Sequence, residues 1–127
     1  MMHSVKPNPG GAVSPEEVVR AELTAWGRRD VDEIVSHFST DAVWENVPLG
    51  VANGHSEIRH LAKQYIDRIS HFECEILNLA AAGNVVLTER VDRFVFDGTP
   101  VDARCMGAFE ITGGKISAWR DYFDSNH

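Results

Sequence analysis

Residues 72–124, FECEILNLAAAGNVVLTERVDRFVFDGTPVDARCMGAFEITGGKISAWRDYFD, decide the fold. Apolar and polar residues alternate with period two over segments 72–82, 84–96, 101–112 and 115–124. Such alternation is the signature of strands. The interruptions carry turn chemistry: Gly83-Asn84, Asp97-Gly98-Thr99-Pro100 and Thr112-Gly113-Gly114-Lys115. Links this short join consecutive strands into an antiparallel meander.

Upstream of residue 72 the period is helical. Ser14 is placed as an N-cap, Pro15 at the first helical position and Glu17 as the partner in a capping box. Val18, Val19, Ala21, Leu23, Ala25 and Trp26 then form the buried side, and Gly27 is the expected end. Asp30 and Glu33 repeat the D-x-x-E start, predicting a short second helix to about residue 37 or 38. Residues 42–47 (AVWENV) read as a strand stopped by Pro48 and Gly50. A third helix is expected over about 56–69, where Ile58, Leu61, Ala62, Tyr65, Ile66 and Ile69 make one stripe. Helices followed by long strands define an α+β fold. The expectation is a strongly curved, mostly antiparallel sheet packed against three to four helices around a cone-shaped pocket. Residues 1–13, with Pro7, Pro9, Gly10 and Gly11 and few apolar anchors, read as a flexible tail; residues 14–127 read as one domain.

At 127 residues and 14.1 kDa, with 43% hydrophobic content, the chain has material for a single core. Its net charge of −7 argues against a nucleic-acid or anionic-membrane partner. No apolar run approaches the roughly 20 residues of a membrane-spanning helix. The opening MMHSVKPNPGGAVS lacks the apolar stretch of a signal peptide, so the expected location is cytoplasmic. Cys74 and Cys105 form no C-x-x-C pair and read as structural thiols. There is no H-E-x-x-H and no Cys cluster, and His55 and His60 lie off one helical face, so no metal site is expected. Serine-nucleophile, dinucleotide and phosphate-loop motifs are also missing.

Polar residues on faces that should be apolar mark the candidate site. On segment 84–96, Val86, Thr88, Arg90, Asp92 and Phe94 share one face. On the last strand, Asp121 stands between Trp119 and Phe123, and Asn46 shares a face with Trp44. A buried carboxylate needs hydrogen bonds and a counter-charge. Taken singly, an Arg–Asp pair on a strand is ordinarily a solvated cross-strand ion pair, and spacing alone names no reaction.

The stretches V-W-E-N-V-P-L (43–49), L-T-E-R-V-D (87–92) and G-A-F-E-I-T-G-G-K-I-S-A-W-R-D-Y-F-D (107–124) resemble the limonene-1,2-epoxide hydrolase family. That family lies within the cystatin-like α+β group that includes nuclear transport factor 2 and ketosteroid isomerase. The resemblance implies one-step hydrolysis of an epoxide to a vicinal diol, with no cofactor, no metal and no covalent intermediate. It implies Asp121 as general base, Asp92 as general acid, Arg90 as the bridge between them and Asn46 as a holder of the attacking water. A family tyrosine that helps orient this water falls at Trp44, which offers only an indole N–H. Trp44, Leu49, Phe94, Met106, Trp119 and Phe123 are the expected apolar wall, selecting an apolar epoxide. A homodimer through the outer sheet face is also implied. The alternatives on the same fold are a ketosteroid isomerase-like or polyketide cyclase-like enzyme, and a non-catalytic small-molecule-binding protein.

Overall fold

The computed structural model describes residues 13–123; the expected tail, apart from Val13, and Asp124 lie outside the described residues. Helix α1 (Pro15–Arg28) starts as its sequence dictates. The Ser14 hydroxyl accepts from Glu17 N–H at 3.2 Å, and the Glu17 carboxylate accepts from Ser14 N–H at 2.8 Å. The helix runs one residue past Gly27, and Arg29 terminates it in the left-handed region at φ 54°. Helix α2 (Val31–Ser36) is capped by the Asp30 side chain, which accepts from Glu33 N–H. Strand β1 (Phe38–Val47) begins four residues earlier than the period predicts. After the Pro48 turn the chain pairs back on it as the short β2 (Gly50–Asn53), which sequence reading missed. Helix α3 (Gly54–Ile66) stops three residues before the expected end, because Ile69 already opens β3 (Ile69–Ala82). Strands β4 (Val85–Phe96), β5 (Thr99–Thr112) and β6 (Lys115–Phe123) complete the expected meander.

The six strands form one curved mixed sheet in the order β2-β1-β6-β5-β4-β3. Neighbours are antiparallel except β1 and β6, which run parallel and set Asn46 opposite Asp121. The helices cover the concave face. Their apolar sides bury Val18, Val19, Leu23, Trp26, Ile34, Val35, Ile58 and Ala62 against Phe38, Trp44, Phe109, Ile116 and Trp119 of the sheet. Two bulges keep that face apolar where strict alternation would lose it. One after Ile76 moves the inward set on β3 from Phe72, Cys74 and Ile76 to Leu79. The other, at Ser117, lets Ile116 and Trp119 both face inward. No helix among the described residues is long and apolar enough to cross a membrane.

One polar residue of α1 was not singled out from the sequence. Glu22 is fully buried; its Oε2 accepts from Trp26 Nε1 at 3.2 Å, while Oε1 has no partner among the described residues. Burial pushes this carboxyl well above its ordinary value, against the pull of the Trp26 hydrogen bond and with a further push from Glu33. The native state therefore holds a proton that the unfolded chain releases above about pH 4.5. Stability from this group is full below that pH and is lost as pH rises through the folded value. Glu22→Gln keeps the acceptor for Trp26 and removes the ionisation. It is expected to raise stability at pH 7 and to flatten the melting temperature against pH. Thermal melts of both proteins from pH 4 to 8 check this.

Candidate active site

The inward face of β4 presents Val86, Thr88, Arg90, Asp92 and Phe94, as the period-two reading requires. The Arg90 side chain is 0% exposed, which is tolerable only because every donor is used. Nε donates to Asp92 Oδ1 at 3.3 Å. Nη2 donates to Asp92 Oδ2 at 3.0 Å and to Asp121 Oδ2 at 2.7 Å, and Nη1 to Asp121 Oδ1 and Thr88 Oγ1, both at 3.0 Å. Five N–H groups meet two carboxylates and one hydroxyl. The guanidinium also lies over the Trp119 ring, 5.9 Å from its centroid.

Asp121 sits on β6 between Trp119 and Phe123, and its Oδ1 takes a further hydrogen bond from Trp119 Nε1 at 2.7 Å. Trp119 is held in turn by stacking on Phe109 at 4.8 Å and Trp44 at 5.5 Å. Burial raises the Asp121 carboxyl above its usual value, and the charge of Asp92 adds to this; Arg90 and the Trp119 hydrogen bond pull the other way. Burial works against the Arg90 charge, but Asp121 and then Asp92 outweigh it and raise its pKa. The carboxylate side chains keep 12% exposure at Asp121 and 14% at Asp92, and both line the pocket. Each is therefore locked to the guanidinium and still open to a small molecule.

Gly107 makes this packing possible. It faces Asp121 on one side and Thr88 on the other. A Cβ there would lie 2.6 Å from both Arg90 Nη1 and Asp121 Oδ1. Gly107→Ala is expected to cost about 1–3 kcal/mol through overpacking, and kcat at least about tenfold through displacement of the carboxylate. A melt and an activity assay on the same preparation check both.

The pocket, of about 330 Å³, is bounded by Trp26, Trp44 and Tyr65 near the helices and by Phe72, Phe94, Phe96 and Phe123 along the sheet. Of the expected wall, Trp44, Phe94, Trp119 and Phe123 line it, and Leu49, 60% exposed, stands at the rim. Met106 is a correction. It is 53% exposed on the outer face, beside Tyr122 and close to Leu87, because Arg90 pairs with Cys105 and turns that residue inward instead. This outer face is the one through which the resemblance implies a second copy.

Both cysteines flank Asp92. Cys74 pairs with it across β3, and Cys105 Sγ lies 3.5 Å from its Oδ2. Burial, followed by the charge of Asp92, pushes the Cys74 thiol up to about 12; burial likewise raises Cys105, against the pull of Arg90. Both thiols are protonated at neutral pH and poor nucleophiles. Asp92, Cys105 and Asp121 bring ligand-type atoms within 4.8 Å of one another, a grouping the sequence reading did not foresee. The Arg90 guanidinium bonds both carboxylates and supplies the positive charge between them.

Asn46 lines the pocket from β1, adjacent to Asp121, and its Nδ2 donates to the Tyr65 hydroxyl at 3.3 Å. Sequence reading placed Tyr65 in an aliphatic stripe and missed its polar end; a lone hydroxyl in that stripe was the available signal. Gly107 was missed because its role exists only across strands, whereas Thr88, two residues before Arg90 on the same face of β4, was in view and passed over.

Fold and site together define a cone of the nuclear transport factor 2-like type, closed by a curved sheet and floored by an Asp-Arg-Asp group. Residues 13–127 match the model of the limonene-1,2-epoxide hydrolase catalytic domain. The chain is 35% identical to epoxide hydrolase EphG of Mycobacterium tuberculosis over 106 residues, 84% of this chain and 70% of that protein. The solved structure of an M. tuberculosis epoxide hydrolase of this type superposes with a TM-score of 0.78 at 34% identity, covering 87% of this chain and 82% of the other. A protein of ketosteroid isomerase-like fold from Catenulispora acidiphila gives 0.79 at 21% identity, covering 86% of each chain, and shares the fold alone. The chain belongs to the limonene-1,2-epoxide hydrolase family.

Proposed function

We propose that the protein hydrolyses an apolar epoxide to a vicinal diol in one step, by paired general acid and base. The observation that carries this reading is one buried guanidinium holding two carboxylates, each with an open edge on a single aromatic-walled pocket. Epoxide opening has ring strain behind it, but the departing alkoxide leaves well only if protonated as the C–O bond breaks. Asp92 supplies that proton. Asp121, adjacent to Asn46, removes a proton from the water whose oxygen attacks the ring carbon from the opposite side. One water is consumed, one C–O bond forms and one breaks. The proton gained at Asp121 must return to Asp92 before the next turnover.

Both roles require one proton on the pair near neutral pH. Burial and the neighbouring charge of Asp92 raise the Asp121 carboxyl against the pull of Arg90, which favours one proton on the coupled pair. The choice of Asp121 as base rests on its place beside Asn46. The aromatic wall excludes bulk water and suits an apolar substrate.

The test is a single turnover of cyclic and linear epoxides in ¹⁸O-labelled water. Label in the first diol formed supports direct attack by water. An unlabelled first diol means that a carboxylate oxygen was transferred through an ester. A product of unchanged mass points to the isomerase-like alternative.

A further inference from the structure

Three groups near the pocket could help hold the attacking water beside Asp121 and Asn46: the indole N–H groups of Trp44 and Trp119 and the hydroxyl of Tyr65. The two indoles are not available. Trp119 Nε1 is committed to Asp121 Oδ1 at 2.7 Å. Trp44 Nε1 is sealed inside the core, with no hydrogen-bond partner among the described residues, so it cannot reach a molecule in the cavity. Trp44 fills that position as a hydrophobic plate, stacked on Trp119 and edge-on to Trp26 and Tyr65.

Tyr65 is the group that remains. It comes from the last turn of α3 and lines the same cavity as Asn46 and Asp121. Its oxygen accepts from Asn46 Nδ2 at 3.3 Å, which leaves its own O–H free to donate. Asn46 in turn makes no other side-chain hydrogen bond among the described residues and adjoins Asp121 on the neighbouring strand. A water between these groups would receive a hydrogen bond from Tyr65 and give its proton to Asp121, with Asn46 fixing the tyrosine.

Resting on the hydrolase reading above, we propose that the Tyr65 hydroxyl is the positioning residue for the nucleophilic water, delivered from α3. The proposal gives Tyr65 a role in the chemical step and little part in binding the epoxide. Removing the hydroxyl leaves the water to rotate away from its line of attack, and misplacement of this order costs about 10–100-fold in rate.

The test is Tyr65→Phe, alone and combined with Asn46→Ala, in the full chain, with steady-state kinetics on an epoxide the wild type accepts. The expected result is a kcat reduced about 10–100-fold with KM within about threefold and an unchanged far-ultraviolet spectrum. Because Asn46 and Tyr65 act on one water, the double variant should lose little more than the worse single variant. A kcat for Tyr65→Phe within threefold of wild type overturns the proposal, and so does a loss confined to KM. Losses that multiply in the double variant overturn it as well, since they would mean independent roles. If Tyr65→Phe proves poorly folded, Tyr65→His restores a polar end, and recovered kcat supports the proposal while none counts against it. Wild-type protein that turns over no epoxide sinks the hydrolase reading and this proposal together, a result distinct from each of the others.

Discussion

Asp121→Asn is expected to lower kcat for epoxide hydrolysis by about 10²–10⁴-fold, the usual weight of a general base, with the fold retained. The amide is nearly the same size, and its oxygen can still accept from Arg90 or Trp119, which now bond the carboxylate at 2.7–3.0 Å. What it cannot do is take a proton from water. It also removes one of the two carboxyl groups between which the proton must be exchanged, so turnover loses the pair as well as the base. Stopped assays at matched protein concentration, with circular dichroism as the folding control, measure this. Activity within tenfold of wild type would show that Asp121 is not the base.

Arg90→Ala should produce the largest loss of stability available from a single change in this site. The guanidinium is completely buried, and its removal leaves two carboxylates facing each other without a counter-charge. Breaking one partner from a buried ion group costs about 3–5 kcal/mol. A cavity adds to this, because Arg90 is the largest fully buried side chain among the described residues. The loss should depend on pH in a set direction. Without Arg90, the folded protein favours protonated carboxyls even more strongly than the raised Asp121 already does. The variant should therefore be least unstable in acid and lose stability as pH rises above the ordinary carboxyl range. Arg90→Lys keeps the charge but has three donors on one nitrogen where five are used in a planar fork, so it should fall between. Denaturant titrations at pH 5 and pH 8 separate the three proteins, and a variant as stable as wild type at both would show the group to be solvated.

Much of this site was legible because β4 carries two charged residues, and β6 one, where the period demands apolar ones. Arg90, Asp92 and Asp121 were found for that reason, and the capping residues of α1 and α2 were equally plain. Strand β5 was legible too, since Val101, Ala103 and Cys105 alternate with Asp102, Arg104 and Met106, which sets Met106 on the charged face. Placing Met106 on the wall went against that period, and the pairing of Cys105 with Arg90 agrees with the period about which set faces inward. Strand β2 has a single buried residue, Ala52, and so almost no periodic signal. Glu22 stands one turn from both Val18 and Trp26, so the helical period placed it on the buried stripe and only its charge argued for the surface. Gly107 is important for the atoms it admits, which belong to residues distant in sequence.

The parallel pairing of β1 with β6 ties Asn46 to the rest of the group. Asn46 and Asp121 are neighbours across that seam yet lie far apart along the chain, whereas β3 to β6 associate through short hairpins. Long-range closures of this kind form slowly compared with local ones. During refolding, the meander can gather Arg90 and both aspartates well before Asn46 arrives. The proposed site is thus completed by the same event that closes the fold, and on that reading recovered turnover is a more demanding gauge of complete assembly than any signal from the sheet alone.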